Sequence, residues 1–308
     1  MVFSTPKSSA LSNNFSLLYN FQTLLFILFE QFSNYSGEVY RVELNGKLIG
    51  LGSSFYNFKD ASSVFYNPSY LNYSNESIFF GFGLLYEGIN AVSLSYKFKN
   101  KPYGIGLYLV LTDNIEFTSL PDTTQPPSED NKPYIISIEN YLASAIYLSS
   151  GYKNFGISAK ILYQGISNYR AFGFGFDIST NLKNFSIILK DFLPSLLYWN
   201  SKTTEFIPPM IILSTYSQYK NFLLSTSLDF STLENRNFDR LISFNNFSMG
   251  FRFGIEYNLN VVSLRGGFRN SKPSFGFGIN YKSYSIDYGS FYHSDLGLTH
   301  RTSLTINF

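Results

Sequence analysis

The sequence predicts an all-β protein, a transmembrane, antiparallel up-and-down β-barrel of about 14 strands. Three observations predict this fold. Apolar residues occupy every second position through much of 77–308, no apolar run is long enough for a membrane-spanning helix, and tight connections alternate with long ones. If the chain lies in a membrane, it therefore crosses as strands.

The alternation is clearest at 172–179, where Phe172 and Phe174 are interleaved with Gly173 and Gly175. The same pattern occurs at 92–98, 251–257 and 275–281. The second face is rich in Gly, Ser, Thr and Asn, whereas a soluble sandwich would carry many charges there. Because membrane strands must pair every backbone amide, this pattern predicts a closed barrel with apolar side chains facing lipid and polar ones facing a lumen.

Turn signals divide the chain into an even number of strands, as bacterial single-chain barrels require. The predicted strands are 77–86, 89–98, 102–111, 137–149, 154–163, 171–180, 184–190, 208–217, 221–230, 249–258, 260–268, 273–281, 283–290 and 300–308. Links at every other junction are tight, and the segments 112–136, 191–207, 231–248 and 291–299 read as exposed loops. The first junction, Glu87-Gly88, is tight where a long loop is expected. This asymmetry predicts periplasmic turns and periplasmic N- and C-termini.

One turn sequence occurs twice, as Tyr152-Lys153-Asn154-Phe155 and as Tyr219-Lys220-Asn221-Phe222. The repetition predicts hairpins of one barrel rather than a duplicated domain. We expect Asn154 and Asn221 at the positive-φ positions, which Asn tolerates.

Composition excludes several classes of function. The 23 basic and 21 acidic residues give a net charge of +2, so we expect no nucleic-acid partner. The absence of Cys excludes disulfides, thiolate metal sites and cysteine nucleophiles. His300 lies near Asp295 and Ser303, but no Gly-x-Ser-x-Gly elbow is present, so we predict no enzyme, no cofactor and no metal site.

The N-terminus has one Lys followed by the apolar run 24–29, which Glu30 ends. Residues 1–37 are interpreted as a signal peptide, although no clean cleavage site follows. An amphipathic or buried helix is the alternative.

Two stretches resemble a known family. Gly50–Phe55, Asp60-Ala61 and Asn67-Pro68-Ser69-Tyr70-Leu71 resemble the N-terminal segment shared by FadL-type hydrophobic-compound transporters and PorV/PorQ-like outer-membrane proteins. The series 263–268, 275–279, 286–288 and 296–304 is similar to the closing hairpins of PorV/PorQ-like proteins. Ser69 stands where the family pattern usually has Ala.

The resemblance implies a fourteen-stranded barrel, residues 77–308, whose segment 38–76 folds into the lumen as a hatch. The family segment proper covers about 48–76. The residues that would shape the hatch or a ligand pocket are Asp60, Phe65, Asn67, Pro68 and Leu71. Phe308 resembles the terminal aromatic that the barrel-assembly machinery recognises. The same Asn-Pro residues would equally suit an ordinary turn before the first strand, because Pro68 keeps the preceding residue out of the α region.

Several charges fall on the face predicted to line the lumen: Lys97, Lys160, Asp177, Asp229, Arg252, Glu256 and Asp287. They could satisfy one another in a filled lumen, line a polar conduit or clamp the hatch. Arg265 could face the lumen or the membrane interface, and we favour the interface.

The leading functional hypothesis is passive binding or transport of hydrophobic small molecules, of the fatty-acid or aromatic-hydrocarbon type, across the outer membrane. The alternative is a PorV-like structural or secretion-associated barrel, of the type IX secretion kind, that binds proteins. A surface adhesin or a general porin is a third hypothesis. An apolar pocket beside 48–76 would favour transport, and a solid plug would favour scaffolding.

Overall fold

The computed structural model describes residues 38–86, 88–193, 195–232, 241–244, 247–293 and 297–308. The predicted signal peptide therefore lies outside the described residues. Within them, fourteen strands form one closed antiparallel wall, which confirms the predicted fold class. The wall strands are β1 (Ser77–Leu85), β2 (Ile89–Lys97), β3 (Tyr103–Ser119), β4 (Tyr134–Tyr152), β5 (Phe155–Ile166), β6 (Tyr169–Leu182), β7 (Phe185–Lys190), β10 (Met210–Tyr219), β11 (Phe222–Thr232), β13 (Phe247–Leu259), β14 (Val262–Arg269), β15 (Lys272–Tyr281), β16 (Tyr284–His293) and β17 (Gly297–Asn307).

Consecutive wall strands pair with one another, and β1 closes the barrel by pairing with β17. The closing register runs from Ser77 opposite Asn307 to Leu84 opposite His300. Three short strands extend the sheet: β8 (Ser195–Trp199), β9 (Thr204–Ile207) and β12 (Ile242–Phe244). No helix in the described part of the chain is long and apolar enough to cross a membrane.

Side chains alternate between the two faces of the wall as the sequence predicts. On β15, Phe275 and Phe277 are exposed on the outside, whereas Ser274 is buried inside. On β6, Phe172 and Phe174 point outward and Asp177 is buried. The outer surface is therefore aromatic and aliphatic, and the inner surface is small and polar.

The connections differ between the two ends of the barrel. At one end, called the turn end, five hairpins close with two residues between paired strand ends. The C-terminus also lies at the turn end, where the Phe308 amide donates to the carbonyl of Glu76 at 3.0 Å. The opposite end, called the loop end, carries the longest connections, such as that between β3 and β4, together with two two-residue turns.

Parts of all four predicted loops are strand in the structure, so these predictions were wrong in extent; in 291–299, strands β16 and β17 include 291–293 and 297–299. Strands β3 and β4 include 112–119 and 134–136 of the predicted loop 112–136, and β8 and β9 form a hairpin within 191–207. Strand β12 lies within 231–248. Backbone pairing continues there although Pro, Asp and Asn make the sequence read as loop.

The turn residues with positive φ are also not the predicted ones. The left-handed residue is Lys153 (φ 51°) in one repeat and Lys220 (φ 51°) in the other, and not Asn154 or Asn221. The pairing of Tyr152 with Phe155 leaves Lys153 as the first turn residue. That position normally favours Gly, Asn or Asp.

Residues 38–76, called the lumenal segment, lie inside the barrel. They include a 3-10 helix (Glu38–Arg41), helix α1 (Gly46–Gly50), helix α2 (Ser63–Tyr66) and a second 3-10 helix (Pro68–Tyr73). The buried apolar core lies between this segment and the inner wall. Gly52 shows how close the fit is: its φ is +62°, and a Cβ there would lie 2.6 Å from the Phe268 carbonyl oxygen.

Candidate functional site

The lumenal segment is hydrogen-bonded to the wall at several places around the barrel. The Gly46 amide donates to Ser303 Oγ on β17 at 3.0 Å, and the Ser69 amide donates to Ser179 Oγ on β6 at 2.9 Å. Ser54 and Ser225, on β11, share a hydrogen bond at 2.6 Å between their hydroxyls. The small inward Ser and Gly residues of the wall make room for the segment and also provide its hydrogen-bonding partners.

The five residues that the family resemblance singles out lie within this segment. Asn67 ends α2 with extended backbone (φ −157°), and Pro68 starts the second 3-10 helix. Phe65, Asn67, Pro68 and Leu71 are buried. Burial raises the pKa of the partly buried Asp60 carboxyl, although the Ser62 amide donates to it at 2.8 Å. Their role as a hatch stays a prediction.

Most of the charges predicted to face the lumen are buried there in ion pairs. Glu256 accepts from Lys47 at 3.1 Å and from Arg265 at 2.6 Å, and Arg265 also lies 2.7 Å from Asp287. The interfacial interpretation of Arg265 is therefore wrong. Its buried guanidinium needs the two carboxylates, because an unpaired charge inside a protein is costly.

A second cluster surrounds Arg252. Its Nε lies 2.9 Å from Asp229, and its Nη1 lies 3.1 Å from Glu43 of the lumenal segment. Glu43 also lies 3.6 Å from Arg269 and accepts a 2.7 Å hydrogen bond from Tyr56. Burial alone would raise the pKa of Glu43, but the guanidiniums of Arg252 and Arg269, together with the hydrogen bonds from Ser53 and Tyr56, hold this pKa below its ordinary value.

The wall is interrupted between β7 and β8. The chain takes seven residue steps from Leu189 to Leu196, whereas the paired strand β6 takes four from Ile178 to Phe174. The chain therefore has three extra residues here, and it bulges from Asp191, which has a φ of 53°. On the other side Pro208-Pro209 separates β9 from β10, where Pro cannot donate to a ladder. We call this interruption the wall break.

A third ionic cluster lies on the inner side of the wall break. Lys160 on β5 lies 2.7 Å from Asp177 and also pairs with Asp191, and Lys190 lies 3.1 Å from Asp177. Arg41 of the lumenal segment donates to Asp191 at 3.0 Å and to the Pro208 carbonyl. One arginine therefore joins both sides of the break.

A cavity of about 50 Å³ lies between the lumenal segment and the wall break. Segment residues such as Tyr40, Arg41 and Phe65 line one side, and Asp191 and Met210 beside the break line another. Tyr66, Tyr108 and Tyr147 also line it. A volume of this size holds only a few water molecules.

The sequence-predicted residues divide into two groups around this cavity. Phe65 and Lys160 line it, and Asp177 contacts Lys160. The other predicted residues do not line the cavity. One of them, Lys97, lies at the turn end, where its ammonium group donates to the Phe98 carbonyl at 2.9 Å. The sequence analysis did not single out Arg41 or Asp191. The Pro208-Pro209 pair before a strand is the sequence feature that could have predicted the wall break, because Pro cannot donate to a strand ladder.

Among the described residues, no group of three His, Asp or Glu side chains could hold a metal ion. His300 and Ser303 lie on opposite faces of β17, since His300 is exposed and Ser303 is buried.

No protein-family model matches the chain, and no curated protein sequence matches it. Solved structures do. A TodX ΔS2S3 mutant monoaromatic hydrocarbon channel aligns with a TM-score of 0.55 at 8% identity, over 86% of this chain and 99% of that one. The chain has the fold of this channel. A TodX ΔS2 mutant aligns at 0.49 with 9% identity over 86% and 98% of the chains, and the KdgM porin aligns at 0.34 with 8% identity over 75% and 99%.

Proposed function

We propose that this protein is an outer-membrane barrel that lets hydrophobic small molecules pass, with the lumenal segment as its gate. The outer face of the barrel supports the membrane placement. Large apolar side chains such as Phe174, Ile146 and Phe275 are exposed all around it. Exposed apolar surface of this extent is stable only where lipid covers it.

The position of the cavity behind the wall break carries the transport proposal. A molecule that left the cavity sideways would meet the membrane directly, without crossing the turn end. The inner surface at the break is closed by Arg41, which bridges Asp191 and Pro208. TodX is described as a monoaromatic hydrocarbon channel. We propose monoaromatic hydrocarbons as the first substrate class of this protein and medium-chain fatty acids as the second.

The conformation described here is the closed state. The cavity of about 50 Å³ is smaller than the roughly 150 Å³ apolar cavity known to bind benzene. The lumenal segment must therefore move before a monoaromatic molecule can enter. We propose that this transport is passive.

A disulfide lock tests this proposal, since the chain has no Cys. Ser54 and Ser225 touch through their hydroxyls, so S54C/S225C would tie the lumenal segment to β11. The matched control is T215C/T226C, because Thr215 and Thr226 lie directly opposite one another on the wall strands β10 and β11 and face outward, away from the lumenal segment. Uptake of labelled toluene and of a labelled medium-chain fatty acid is measured in cells that express each variant.

We expect the S54C/S225C lock to abolish uptake and a thiol reductant to restore it. The control disulfide should leave uptake unchanged, because it joins neighbouring parts of the wall. Full uptake through the oxidised S54C/S225C variant would overturn the gate. Absence of uptake by the unmodified protein, for both probes, would overturn transport itself.

A second candidate function is docking of a protein at the loop end. Two observations favour it: the lumen is largely filled, and β3 and β4 extend beyond the rim as a free ribbon, residues 113–119 and 134–140. Ile135, Ile136 and Ile138 are exposed on this ribbon. Docking at the loop end is the function expected of the structural or secretion-associated barrel, the alternative hypothesis drawn from the sequence.

A further inference from the structure

The turn end carries a regular set of lysines that turn geometry does not explain. Four of its five two-residue turns have Lys in the first position: Lys153, Lys183, Lys220 and Lys282, with φ between 51° and 58°. The fifth turn has Asn260 there, at a φ of 56°. A positive φ disfavours Lys and suits Gly or Asn, so the same unfavourable choice made four times indicates a role for the charge.

The loop end provides an internal comparison. Its two-residue turns are Ser167-Asn168 and Asn270-Ser271, with positive φ at Ser167 (51°) and Asn270 (56°). The same turn geometry is thus built there without lysine. Among the described two-residue turns, those with Lys in the first position all lie at the turn end.

The remaining turn-end hairpin, between β2 and β3, adds Lys99 and Lys101. We call the six lysines at 99, 101, 153, 183, 220 and 282 the basic collar. All six are exposed. Within the described part of the chain, none of them forms an ion pair with a carboxylate. Their charges are therefore available to a partner outside the chain.

Three collar lysines lie over aromatic rings at the edge of the apolar outer surface that is nearest the turn end. The ammonium groups of Lys153, Lys220 and Lys282 lie 5.3, 5.4 and 5.3 Å from the ring centres of the preceding tyrosines. Those tyrosines, Tyr152, Tyr219 and Tyr281, are 59–70% exposed on the outside. Tyrosines in this position mark the headgroup level of a bilayer, so the ammonium groups lie at the depth of lipid phosphates.

We propose that the basic collar binds the phosphate groups of anionic phospholipids in the leaflet at the turn end. The lysines occupy turns after β2, β4, β6, β10 and β15, which lie around most of the circumference. A single protein partner would touch one arc, whereas lipid surrounds a barrel on every side. The charge and the distribution therefore fit lipid headgroups. This inference rests on the membrane placement proposed above.

The test uses the quadruple variant K153N/K183N/K220N/K282N. Asn suits a positive φ, so the turns are expected to form as well as or better than in the unmodified chain. The quadruple Lys→Arg variant keeps the charge. Lys202→Asn is the control at the loop end, because Lys202 also has a positive φ, of 69°.

Each protein is reconstituted in vesicles that mix phosphatidylglycerol with phosphatidylcholine, and the lipids that remain bound are counted by native mass spectrometry. We expect the unmodified barrel, the Arg variant and K202N to retain phosphatidylglycerol in excess, about fivefold per collar site at low salt. The Asn variant should lose the excess at its four changed sites and keep only that of Lys99 and Lys101. Added inorganic phosphate should not displace the lipid if the binding site is the collar at the bilayer surface.

Equal phosphatidylglycerol excess in the Asn variant and the unmodified barrel would overturn the collar. So would no excess in the unmodified barrel, or displacement by inorganic phosphate, which would indicate an anion site instead. Failure of the unmodified chain to insert into any vesicle is a different result, because it would overturn the membrane placement itself.

Discussion

At the scale of single residues, Arg41 makes the connection on which gating depends. It belongs to the lumenal segment, yet its two partners lie on opposite sides of the wall break. Asp191 keeps a second partner, Lys160, so loss of Arg41 does not leave that carboxylate unpaired. The arginine therefore holds the segment against the break without being needed for the fold of the wall.

Arg41→Ala is expected to loosen the break and keep the barrel folded. Hydrogen bonds to charged groups contribute about 1.5–3 kcal/mol each, so passage limited by opening should become about tenfold faster or more. The chain has one Trp, Trp199 on β8, which reports on the break through quenching by acrylamide. We expect greater quenching and faster uptake of toluene in the variant.

Arg170→Ala is the matched control. Arg170 is exposed on β6, and the hydrogen bonds described for it, with Asn200, involve its backbone. Removal of its side chain should change neither the quenching nor the uptake. If Arg41→Ala behaves like this control, Arg41 does not hold the break closed.

At the scale of elements, the sequence was sufficient for the wall strands but not for their interruptions. Alternation fixes a strand because a shift of one residue would turn every side chain to the wrong face. The wall break has no such signal, since the residues around Asp191 leave the alternation altogether. Arg265 was misplaced because a residue beside Gly266-Gly267 shows no clear period, and only its two carboxylate partners reveal its burial.

The lumenal segment could be predicted only through its resemblance to a family. Its short helices and turns have no long period, and its packing depends on contacts with many wall strands at once. The cavity could not be predicted from the sequence either, because its lining comes from residues as distant in sequence as Tyr40 and Met210. The sequence predicts a positive φ at Asn154 and Asn221 because Asn tolerates it better than Lys does. The structure has it at Lys153 and Lys220 instead, so the intrinsic backbone preference of these residue types does not decide the turn.

The ribbon of β3 and β4 carries a prediction at the same scale. Beyond Thr112 and Tyr141 neither strand has another neighbour in the described structure, so both edges are unpaired. The segment 112–140 has six acidic residues and one basic residue, which favours a partner with a basic surface. Unpaired edges beside exposed isoleucines are a suitable site for addition of a strand.

The triple variant I135T/I136T/I138T removes the apolar surface but keeps β-branched side chains. If the ribbon docks a protein, a partner that co-purifies with the unmodified barrel should be lost from this variant, and toluene uptake should remain. Ser137→Thr, on the same strand, is the control and should keep the partner. Retention of the partner by the triple variant would exclude the ribbon as the docking site.

At the scale of the whole molecule, the three ionic clusters brace the lumenal segment against different parts of the wall. Glu43 is the most connected of its residues: its carboxylate meets Arg252 of β13 and Arg269 of β14, and its carbonyl accepts from Arg301 of β17 at 3.2 Å. Tyr56 and Ser53 of the segment itself also donate to its carboxylate. Loss of the carboxylate charge therefore weakens the contacts with two strands, β13 and β14, together.

Acid should consequently release the lumenal segment. The pKa of Glu43 in the folded protein lies below its ordinary value of 4.5, so the charged form stabilises the segment at every pH above 4.5. That contribution is lost as the pH falls through the lowered folded value. Its size is bounded by the cost of removing one partner of a buried ion pair, about 3–5 kcal/mol.

Hydrogen–deuterium exchange of residues 43–58, corrected for the intrinsic effect of pH, measures this release. We expect protection to be constant from neutral pH to about the ordinary pKa of a Glu carboxyl and to fall below it. Glu43→Gln should exchange faster at neutral pH and lose most of the dependence, which separates Glu43 from other lumenal carboxylates such as Glu256. Should the Gln variant keep both the protection and the pH profile of the unmodified chain, the segment is held by its packing and serine hydrogen bonds, and Glu43 is not its main electrostatic anchor.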